Sequence, residues 1–521
     1  MALALVVICG LPYLLSALFG PSDLARIGTF WFPRDFSQYQ AAMREGAHQS
    51  SWLIYDHFSA EPHRAALMYP LYVAAGKLAA GLGISDLAIF AGLEWLGRFA
   101  VLGALYAFAA TFLPGRRERR LAVLLALGTL GLDAWLVPLR LGLEALGATA
   151  LTAQLPDAVN PYLEVNSFGV LLSAPHLMLG LALTLSCAPL YLRAIAGHRA
   201  ALAALGVAIV VLSLVHSFNT PVLISVLVLH ALKTGRRAWP AAVAAALAGA
   251  PMALYSLVLY QTDPFWSGTY GAQNLMPSPA AWTLPADFGV VLLAAPLAWS
   301  VVRGWSTERR WLILLWIGLG IAWMYAPVVY QRRFGFGVQP ALAVLAAVGL
   351  IELNATLRRS SAHWLWRRAV NYAIALAAMS TSLLVYVSLL VSALTNQPIE
   401  AYAWSRAEAE AGLWLGTHSS ASDIVLASTP FANSLVGVFD GRVVHGHIVA
   451  TLHTDAKAAL VASFYGPTTS AAERADVLHQ SGATMVAFGP RERALGATDL
   501  NDQPNLEPVY DRDGVQLFRV R

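Results

Sequence analysis

Long apolar runs, separated by short polar segments, dominate the first three quarters of the chain. An α-helix needs about 20 apolar residues to cross about 30 Å of hydrocarbon, so the pattern predicts a bundle of transmembrane helices. A further run at 66–83 is short and contains Lys77, and we interpret it as not fully crossing. The eleven predicted spans are residues 2–20, 87–113, 121–138, 169–192, 200–216, 219–232, 239–260, 286–302, 311–327, 337–354 and 369–395.

The pattern changes near residue 397. Short apolar runs now alternate with helical stretches, which is typical of a small α/β domain. The helical stretches are 400–416, 454–464 and 471–481, and the apolar runs are 424–427, 443–444, 485–488 and 515–520. Residues 428–433 and 441–447 are predicted as loops that follow strands. The sequence therefore predicts a mainly α fold, with a transmembrane domain at 1–396 and a soluble α/β domain at 397–521.

The composition supports this division. Hydrophobic residues make up 57% of the chain and charged residues only 12%, about half the share of an average soluble protein. Residues 1–396 carry 25 Lys and Arg against 16 Asp and Glu, whereas residues 397–521 carry 9 against 14. The composition excludes an ordinary soluble enzyme, a disordered protein and an ordinary nucleic-acid binder.

Clusters of basic residues predict the orientation of the spans. Five clusters lie at every second connection, and the positive-inside rule places those connections in the cytoplasm. Loop 21–65 and the acidic tail are then outside, in a multi-pass protein of the plasma membrane. The clusters are Arg116, Arg117, Arg119 and Arg120; Arg193 and Arg199; Lys233, Arg236 and Arg237; Arg303, Arg309 and Arg310; and Arg358, Arg359, Arg367 and Arg368.

The long connections 21–65, 139–168 and 262–285 all fall on the predicted external face. Because long loops usually carry function and the spans contain few charges, this asymmetry favours chemistry at the membrane–water boundary. The first loop contains Asp35, at the start of an amphipathic segment that could lie in the interface as a helix, with Asp35 as its N-cap. The remaining candidates of this loop for lining an external cavity are Tyr39, Asp56, Glu61 and His63.

Arg332 and Arg333 break the charge rule, because they lie at an external span edge. Paired guanidinium groups suit a phosphate or pyrophosphate headgroup, although contact with ordinary phospholipid or a distant acid would also explain them. Other polar residues at external span ends are candidates for the same cavity, and we expect Asp35 and the arginine pair to face it together. These candidates are His176, His216, Asn219, Asp263 and Gln331.

Metal and nucleotide sites have little support in the sequence. His445, His447 and His453 have irregular spacing and no supporting cysteine, since Cys9 and Cys187 both lie in apolar runs. No nucleotide-binding or metalloprotease motif is present, which argues against a nucleotide-sugar donor and an ATP-driven pump. A divalent metal could share a phosphate charge, but no motif requires one.

The arrangement resembles the GT-C superfamily of polytopic glycosyltransferases, in particular its bacterial protein-mannosyltransferase-like branch. The resemblance rests on Asp35 and Tyr39 in a long loop after the first span, on Tyr69-Pro70-Leu71-Tyr72, on Gln331-Arg332-Arg333-Phe334 and on the α/β tail. It implies an inverting transfer of a sugar from a polyprenyl-phosphate-linked donor to an external acceptor. In that reaction Asp35 would be the general base, and Arg332 and Arg333 would hold the donor phosphate.

Two other functions stay open. A transporter or flippase for a lipid or glycan would need ionisable residues along a path at the membrane midplane, where the candidates are Lys77, Glu94, Arg98 and Asp133. A non-catalytic subunit of a membrane complex would need an apolar outer surface for partners. The predicted partners are a lipid-linked sugar donor and membrane lipids, with no nucleic acid and no required cofactor; the sequence does not identify protein partners.

Overall fold

Helices make up most of the chain. The structure is a computed structural model that describes residues 2–19, 24–25, 33–153, 155, 165–359, 364–395, 404–497 and 499–521. The helices before residue 396 are α1 (Ala2–Phe19), α2 (Pro33–His48), α3 (Pro70–Leu82), α4 (Asp86–Phe112), α5 (Arg116–Gly128), α6 (Asp133–Ala145), α7 (Thr149–Thr152), α8 (Ser167–Leu171), α9 (Pro175–Ile195), α10 (Arg199–Val215), α11 (Asn219–Thr234), α12 (Trp239–Thr262), α13 (Pro264–Trp266), α14 (Leu284–Phe288), α15 (Val290–Ala294), α16 (Trp299–Val302), α17 (Thr307–Trp323), α18 (Val338–Arg359) and α19 (Trp364–Thr395).

The C-terminal part contains most of the strands. One strand, β1 (Leu24–Ala25), lies earlier in the chain. The later elements are β2 (Trp404–Ser405), α20 (Arg406–His418), β3 (Ile424–Leu426), α21 (Thr429–Leu435), β4 (Arg442–Val443), α22 (Thr454–Phe464), α23 (Ala471–Ser481), β5 (Met485–Phe488), α24 (Pro490–Ala494), β6 (Leu506–Arg512) and β7 (Val515–Val520).

Apolar helices of membrane-spanning length identify the chain as a membrane protein. Within the described ranges, six helical segments are long and apolar enough to cross, and a bent pair could be a seventh. The helices α10 and α11 overlap two further predicted spans but are shorter. The segments are Asp86–Phe112, Arg116–Ala145, Pro175–Ile195, Arg236–Thr262, Gln331–Arg359 and Trp364–Thr395, with the bent pair Ala281–Phe288 and Val290–Val302. The count of eleven crossings and their orientation stay predictions.

The bent pair turns by 99° at Gly289. This residue has a φ of +57°, which residues other than glycine rarely adopt. A Cβ there would also lie 3.1 Å from the carbonyl oxygen of Gly131. The sharp bend therefore depends on glycine.

The chain divides into two compact units that are each formed from several segments. The first contains residues 1–10, 93–255 and 276–389, and the second contains 11–92, 256–275 and 390–521. In the first unit the segment that includes α18 is 89% buried, so α18 is its central helix. Gln339 on α18 is fully buried, donates to the Ala126 carbonyl oxygen at 2.8 Å and accepts from the Ser167 hydroxyl at 2.9 Å.

In the second unit, α2 packs closely against α3 through glycines. A Cβ on Gly46 would lie 2.3 Å from the Val73 carbonyl oxygen, and one on Gly76 would overlap the Met43 carbonyl oxygen. Because neither position has room for a side chain, the two backbones come into direct contact. This contact sets the position of α2 in the second unit.

The C-terminal sheet has the strand order β4-β3-β5-β7-β6. The strands β4, β3 and β5 run parallel to one another. The strand β7 pairs with β5 in the antiparallel direction, and β6 pairs with β7 in the same way. One face of this sheet is covered by a core from the C-terminal part of the chain, which includes Phe464, Tyr465 and Phe518. The sheet thus confirms the predicted α/β character of the tail.

The other face of the sheet shares its core with earlier segments of the same unit. Phe58, Phe265 and Trp266 pack in one cluster with Val425 and Phe431. The predicted domain boundary between residues 396 and 397 lies outside the described residues. The apolar surface of the tail is therefore completed by the first loop and by the segment around α13.

Two details of the predicted elements are wrong. The run at 169–192 is not one helix, because α8 ends at Leu171 and α9 begins at Pro175, where proline suits a first helical position. Residues 428–433, predicted as a loop, mostly belong to the short helix α21. The strand β6 was not predicted from the sequence, since Pro508 and its charged residues obscure the alternation.

Candidate functional site

The predicted site residues fall into both compact units, and each set is described by itself. The second unit contains Asp35, Tyr39, Asp56, Glu61, His63 and Asp263. The first unit contains His176, His216, Asn219, Gln331, Arg332 and Arg333. The expectation that Asp35 and the arginine pair face one cavity stays a prediction.

Asp35 lies in the first turn of α2, which confirms the predicted helix but not the predicted N-cap. The described part of the helix extends from Pro33, two residues before Asp35, to His48. The side chain of Asp35 is 35% exposed, so solvent or a ligand can reach the carboxylate. Its Oδ1 atom lies 3.1 Å from Nε2 of His447, whose side chain is only 2% exposed.

The orientation of the His447 ring follows from its other nitrogen. The backbone N–H groups of Val449 and Ala450 donate to Nδ1 at 3.1 Å and 3.3 Å. Nδ1 therefore accepts, and Nε2 faces the Asp35 carboxylate, which can only accept when it is ionised. The amide nitrogen of Gln38 lies 2.7 Å from the same Nε2 atom.

Gln38 joins this pair to two tyrosines. The hydroxyls of Tyr69 and Tyr270 both donate to its Oε1 atom, the latter at 3.3 Å. Tyr69 has a left-handed backbone conformation, with φ of 52°, immediately before α3. The predicted cavity residue Tyr39 is nearby and buried, and its ring stacks on Tyr72 at 4.4 Å, so it contributes packing.

Asp56 is buried beside this group. Its Oδ1 atom accepts the backbone N–H of Phe58 at 2.7 Å, while Oδ2 makes no hydrogen bond to any of the described residues. Burial raises the pKa of Asp56 to about 7, although the Phe58 hydrogen bond and the nearby Tyr270 hydroxyl act in the opposite direction. Asp56, Gln38, Tyr69 and Tyr270 line a small pocket with room for about one water molecule.

His63 is a packing residue in this structure. Its Nε2 atom accepts the backbone N–H of Asp56 at 2.8 Å, and its Nδ1 atom lies 2.9 Å from the Glu61 carbonyl oxygen, to which it donates. The ring stacks on Phe265, with centroids 3.8 Å apart. Burial lowers the pKa of His63, so the neutral ring uses both nitrogens to hold the loop.

The other two candidates of the second unit also have structural partners. Glu61 forms an ion pair with Lys457 at 2.5 Å, and the Ser59 hydroxyl contacts both. Burial alone would raise the pKa of Glu61, but the hydrogen bonds from Lys457 and Ser59 outweigh it and lower the pKa. Asp263 caps α13, because its carboxylate accepts the backbone N–H groups of Phe265 and Trp266 at 2.9 Å and 3.3 Å.

In the first unit, the arginine pair lies in a 3-10 turn at Gln331–Gly335, just before α18. The guanidinium group of Arg333 lies 4.8 Å from the centre of the Phe218 ring, and its Nε atom is 2.9 Å from the Met276 sulfur. The backbone N–H of Arg332 donates to the Met276 carbonyl oxygen at 3.2 Å. The side-chain amide of Gln331 lies against the backbone of Ala326 and Ser278.

The two predicted histidines of the first unit come together. The rings of His176 and His216 are 6.1 Å apart and nearly parallel, and His216 also contacts Phe218 at 5.9 Å. Asn219 donates to the Thr184 hydroxyl at 2.9 Å. The ring of Phe218 thus contacts both His216 and Arg333. Such contacts are expected if the histidines and the arginine pair lie in the same region of the first unit.

Sequence reasoning missed the partners of Asp35. It considered His447 only as a metal ligand, and it did not consider Gln38 or Tyr270. No group of three His, Cys, Asp or Glu side chains suited to a metal ion occurs in the part of the chain that the structure describes. A periodicity signal could not have revealed His447, because its relation to Asp35 depends on the tertiary fold.

The helical bundle with its first-loop helix and α/β tail has the fold of the GT-C superfamily of membrane glycosyltransferases. The oligosaccharyltransferase of Archaeoglobus fulgidus, solved with a tethered acceptor peptide, is similar with a TM-score of 0.56 and 12% identity over 100% of this chain and 74% of that one. ArnT from Cupriavidus metallidurans has a TM-score of 0.51 and 13% identity over 98% of this chain and 97% of that one, and it has also been solved bound to undecaprenyl phosphate.

Arabinofuranosyltransferase AftD from Mycobacteria is a third similar structure. Its TM-score is 0.55 and its identity 15%, over 100% of this chain and 40% of that one. No family model matches the sequence, and no curated protein matches it. At these identities the likeness shows the fold, and the activity of this chain has to be argued from its own residues.

Proposed function

We propose that the protein is a glycosyltransferase that moves a sugar from a polyprenyl-phosphate-linked donor to an acceptor on the external side of the plasma membrane. The observation that carries this proposal is the accessible carboxylate of Asp35, held by a buried histidine in a GT-C fold. A glycosyl phosphate already has a good leaving group, so transfer mainly requires a base for the acceptor's proton. Asp35 would be that base, and a single displacement would invert the anomeric carbon.

Arg332 and Arg333 would hold the donor phosphate. Two adjacent guanidinium groups can offset the charge that develops on a departing phosphate. Arg333 is held against Phe218, which limits the side-chain entropy that binding would cost. The undecaprenyl phosphate bound to the similar ArnT supports a lipid phosphate as part of the donor.

The remaining candidates have supporting roles in this proposal. Asp56 and the residues around its pocket would shape the side of the site that contains Asp35. His176, His216 and Asn219 would surround the arginine pair. The α/β tail at 397–521 would lie outside the membrane, as would loop 21–65. The spans within residues 1–396 would anchor both in the bilayer.

The midplane residues do not favour transport. Glu94 and Arg98 are both buried and lie 3.7 Å apart on the same helix, and Arg98 also donates to the Leu171 carbonyl oxygen at 3.2 Å. Lys77 donates to the backbone carbonyl of Gln49 at 2.6 Å. These contacts pair the charged groups with other protein groups. Buried charges need such partners even where no transport pathway crosses the membrane.

The proposal is tested with the purified full chain in lipid nanodiscs and a panel of undecaprenyl-phosphate-linked sugars, with transfer to envelope lipids and peptides measured by mass spectrometry. We expect transfer by the wild type and a loss of at least about 100-fold in kcat for Asp35→Asn. Arg332→Ala should weaken binding of undecaprenyl phosphate about tenfold or more.

Two matched variants control for indirect effects. Asp440→Asn removes an acid that pairs with Arg44 on the same helix as Asp35, and Arg310→Ala removes an arginine from a predicted cytoplasmic cluster. Both should keep wild-type transfer. Transfer by Asp35→Asn at the wild-type rate would refute the role of Asp35, and unchanged phosphate binding by Arg332→Ala would refute the role of that arginine.

A further inference from the structure

We infer that His447, at the edge of the C-terminal sheet, is a positioning residue that holds the Asp35 carboxylate for proton transfer. This inference rests on the proposed function. It gives the α/β tail a direct part in the reaction, in place of a role as a cover. The argument depends on the contact between the His447 ring and the Asp35 carboxylate, on the support of the loop and on the place of that loop in the sheet.

The ring of His447 faces the Asp35 carboxylate. Two backbone N–H groups donate to Nδ1, and Nε2 lies 3.1 Å from Asp35 Oδ1 and 2.7 Å from the amide nitrogen of Gln38. Because an ionised carboxylate can only accept, the contact with Asp35 is a hydrogen bond from the ring. In this inference His447 orients Asp35 through Oδ1, and Asp35 Oδ2 takes the proton of the acceptor hydroxyl.

The loop that carries His447 is held firmly. The Thr451 hydroxyl accepts the backbone N–H groups of Gly446 and His447 at 3.1 Å and 3.0 Å, and it donates to the Phe58 carbonyl oxygen at 2.6 Å. Asn433 donates to the carbonyl oxygens of both Gly446 and Arg34, at 3.0 Å and 3.1 Å. These bonds tie the histidine loop directly to the start of α2.

The loop also occupies the position where open α/β sheets place functional groups. It follows β4 at the carboxyl end of the parallel strands, and the chain connections reverse direction between β3 and β5. The first loop docks at this edge, because the backbone N–H groups of Val443 and Gly446 donate to the carbonyl oxygens of His57 and Phe58 at 3.0 Å and 3.2 Å. A side chain at this edge therefore points at a neighbouring segment that contains the candidate base.

A second buried histidine in the same loop provides a contrast. The ring nitrogens of His445 lie 2.7 Å and 3.0 Å from the hydroxyls of Thr429 and Thr454. These partners belong to the tail itself. His445 therefore matches His447 in residue type, burial and loop, but it contacts hydroxyls of the tail where His447 contacts Asp35.

The test compares His447→Ala, His447→Gln and the control His445→Ala in the full chain. We expect His447→Ala to lower kcat by about 10- to 100-fold, as loss of a supporting hydrogen bond does at other sites, while binding of undecaprenyl phosphate stays unchanged. A glutamine can place its amide N–H near the position of Nε2, so His447→Gln should recover most of the rate. His445→Ala should keep the wild-type kcat.

A double-mutant cycle in thermal unfolding tests the contact without reference to activity. The decreases in Tm caused by Asp35→Asn and His447→Ala should not add in the double variant, whereas those of Asp35→Asn and His445→Ala should. Additive decreases for the first pair, or a His447→Gln variant as slow as His447→Ala, would overturn the inference. A wild type that transfers no sugar but shows the coupling would refute the proposed function and leave the positioning of the carboxylate intact.

Discussion

Oε1 of Glu45 on α2 lies 2.6 Å from Nε2 of His57 in the loop that follows. The other ring nitrogen of His57 donates to the Gly441 carbonyl oxygen at 2.8 Å. One imidazole, only 12% exposed, thus connects α2, the first loop and the C-terminal sheet. Burial by itself would lower the pKa of His57, but the hydrogen bonds and charge of Glu45 and the bond to Gly441 outweigh it and raise the pKa above 6.5.

The raised pKa of His57 predicts a pH-dependent contribution to stability. Its contribution is fully present below the unfolded-state pKa of 6.5 and is lost as the pH rises through the higher folded-state pKa. Glu45→Gln should therefore lower the Tm more at pH 6 than at pH 9, measured by thermal unfolding across this range. The control Glu507→Gln, which breaks an exposed pair with Arg521, should change little at either pH. An equal loss at both pH values for Glu45→Gln would contradict this interpretation.

Asp56 should make the protein less stable as the pH rises. Its folded-state pKa of about 7 exceeds the ordinary 3.8, so its contribution is present below pH 3.8 and is lost by about pH 7. The difference corresponds to about 4 kcal/mol above pH 7. Asp56→Asn should therefore unfold at a higher Tm than the wild type at pH 8 and at a similar Tm at pH 4.

Asp440 provides a control of opposite sign for Asp56. The hydrogen bond from Arg44 lowers the pKa of Asp440, so its contribution is present above pH 3.8 and is lost as the pH falls further. Asp440→Asn should slightly lower the Tm at pH 8. If Asp56→Asn behaved in the same way, Asp56 would not be the buried, uncompensated acid described above.

The contact between α2 and α3 predicts a strong effect of one methyl group. Gly76→Ala would place a Cβ within the volume of the Met43 carbonyl oxygen, so we expect a loss of about 1–3 kcal/mol or more in the free energy of unfolding. Gly81 lies on the same helix, and a Cβ there meets no atom within 4 Å. Gly81→Ala should therefore leave the stability unchanged or raise it by about 0.5–1 kcal/mol. Denaturant unfolding of both variants measures the difference, and a tolerated Gly76→Ala would show that the helices do not pack as described.

Phe218 should support phosphate binding through Arg333. A guanidinium group over an aromatic ring gains about 0.5–1 kcal/mol at an accessible site, which corresponds to about two- to fivefold in affinity. Phe218→Leu should weaken binding of undecaprenyl phosphate by that factor, measured by titration in nanodiscs. The control Phe112→Leu alters a buried ring that packs on Trp305 and should bind as the wild type does. A Phe218→Leu variant with wild-type affinity would show that the ring does not assist Arg333.

Local signals in the sequence predicted several elements closely. Ala471–Ser481 is helical with the predicted bounds, because Ser470 and Glu473 form a capping box at its start. The apolar runs at 485–488 and 515–520 are strands with the predicted bounds. In α2, however, the acid predicted as the N-cap, Asp35, lies inside the first described turn.

The candidate site could be predicted from the sequence only in part. Asp35 and the arginine pair could be selected because their charge is unusual for their surroundings. The pairing of Asp35 with His447 joins positions 412 residues apart, and no spacing rule covers such a distance. His63 illustrates the opposite limit, since its residue type suggested a cavity while its two hydrogen bonds show a packing role.

That separation of 412 residues has a consequence for biosynthesis. A ribosome completes the first loop long before the histidine loop emerges, so the carboxylate of Asp35 lacks its imidazole partner throughout most of translation. Nascent chains and chains released early would be inserted in the bilayer with that partner missing. The hydrogen-bonded state of this carboxylate would then be reached only at the end of synthesis.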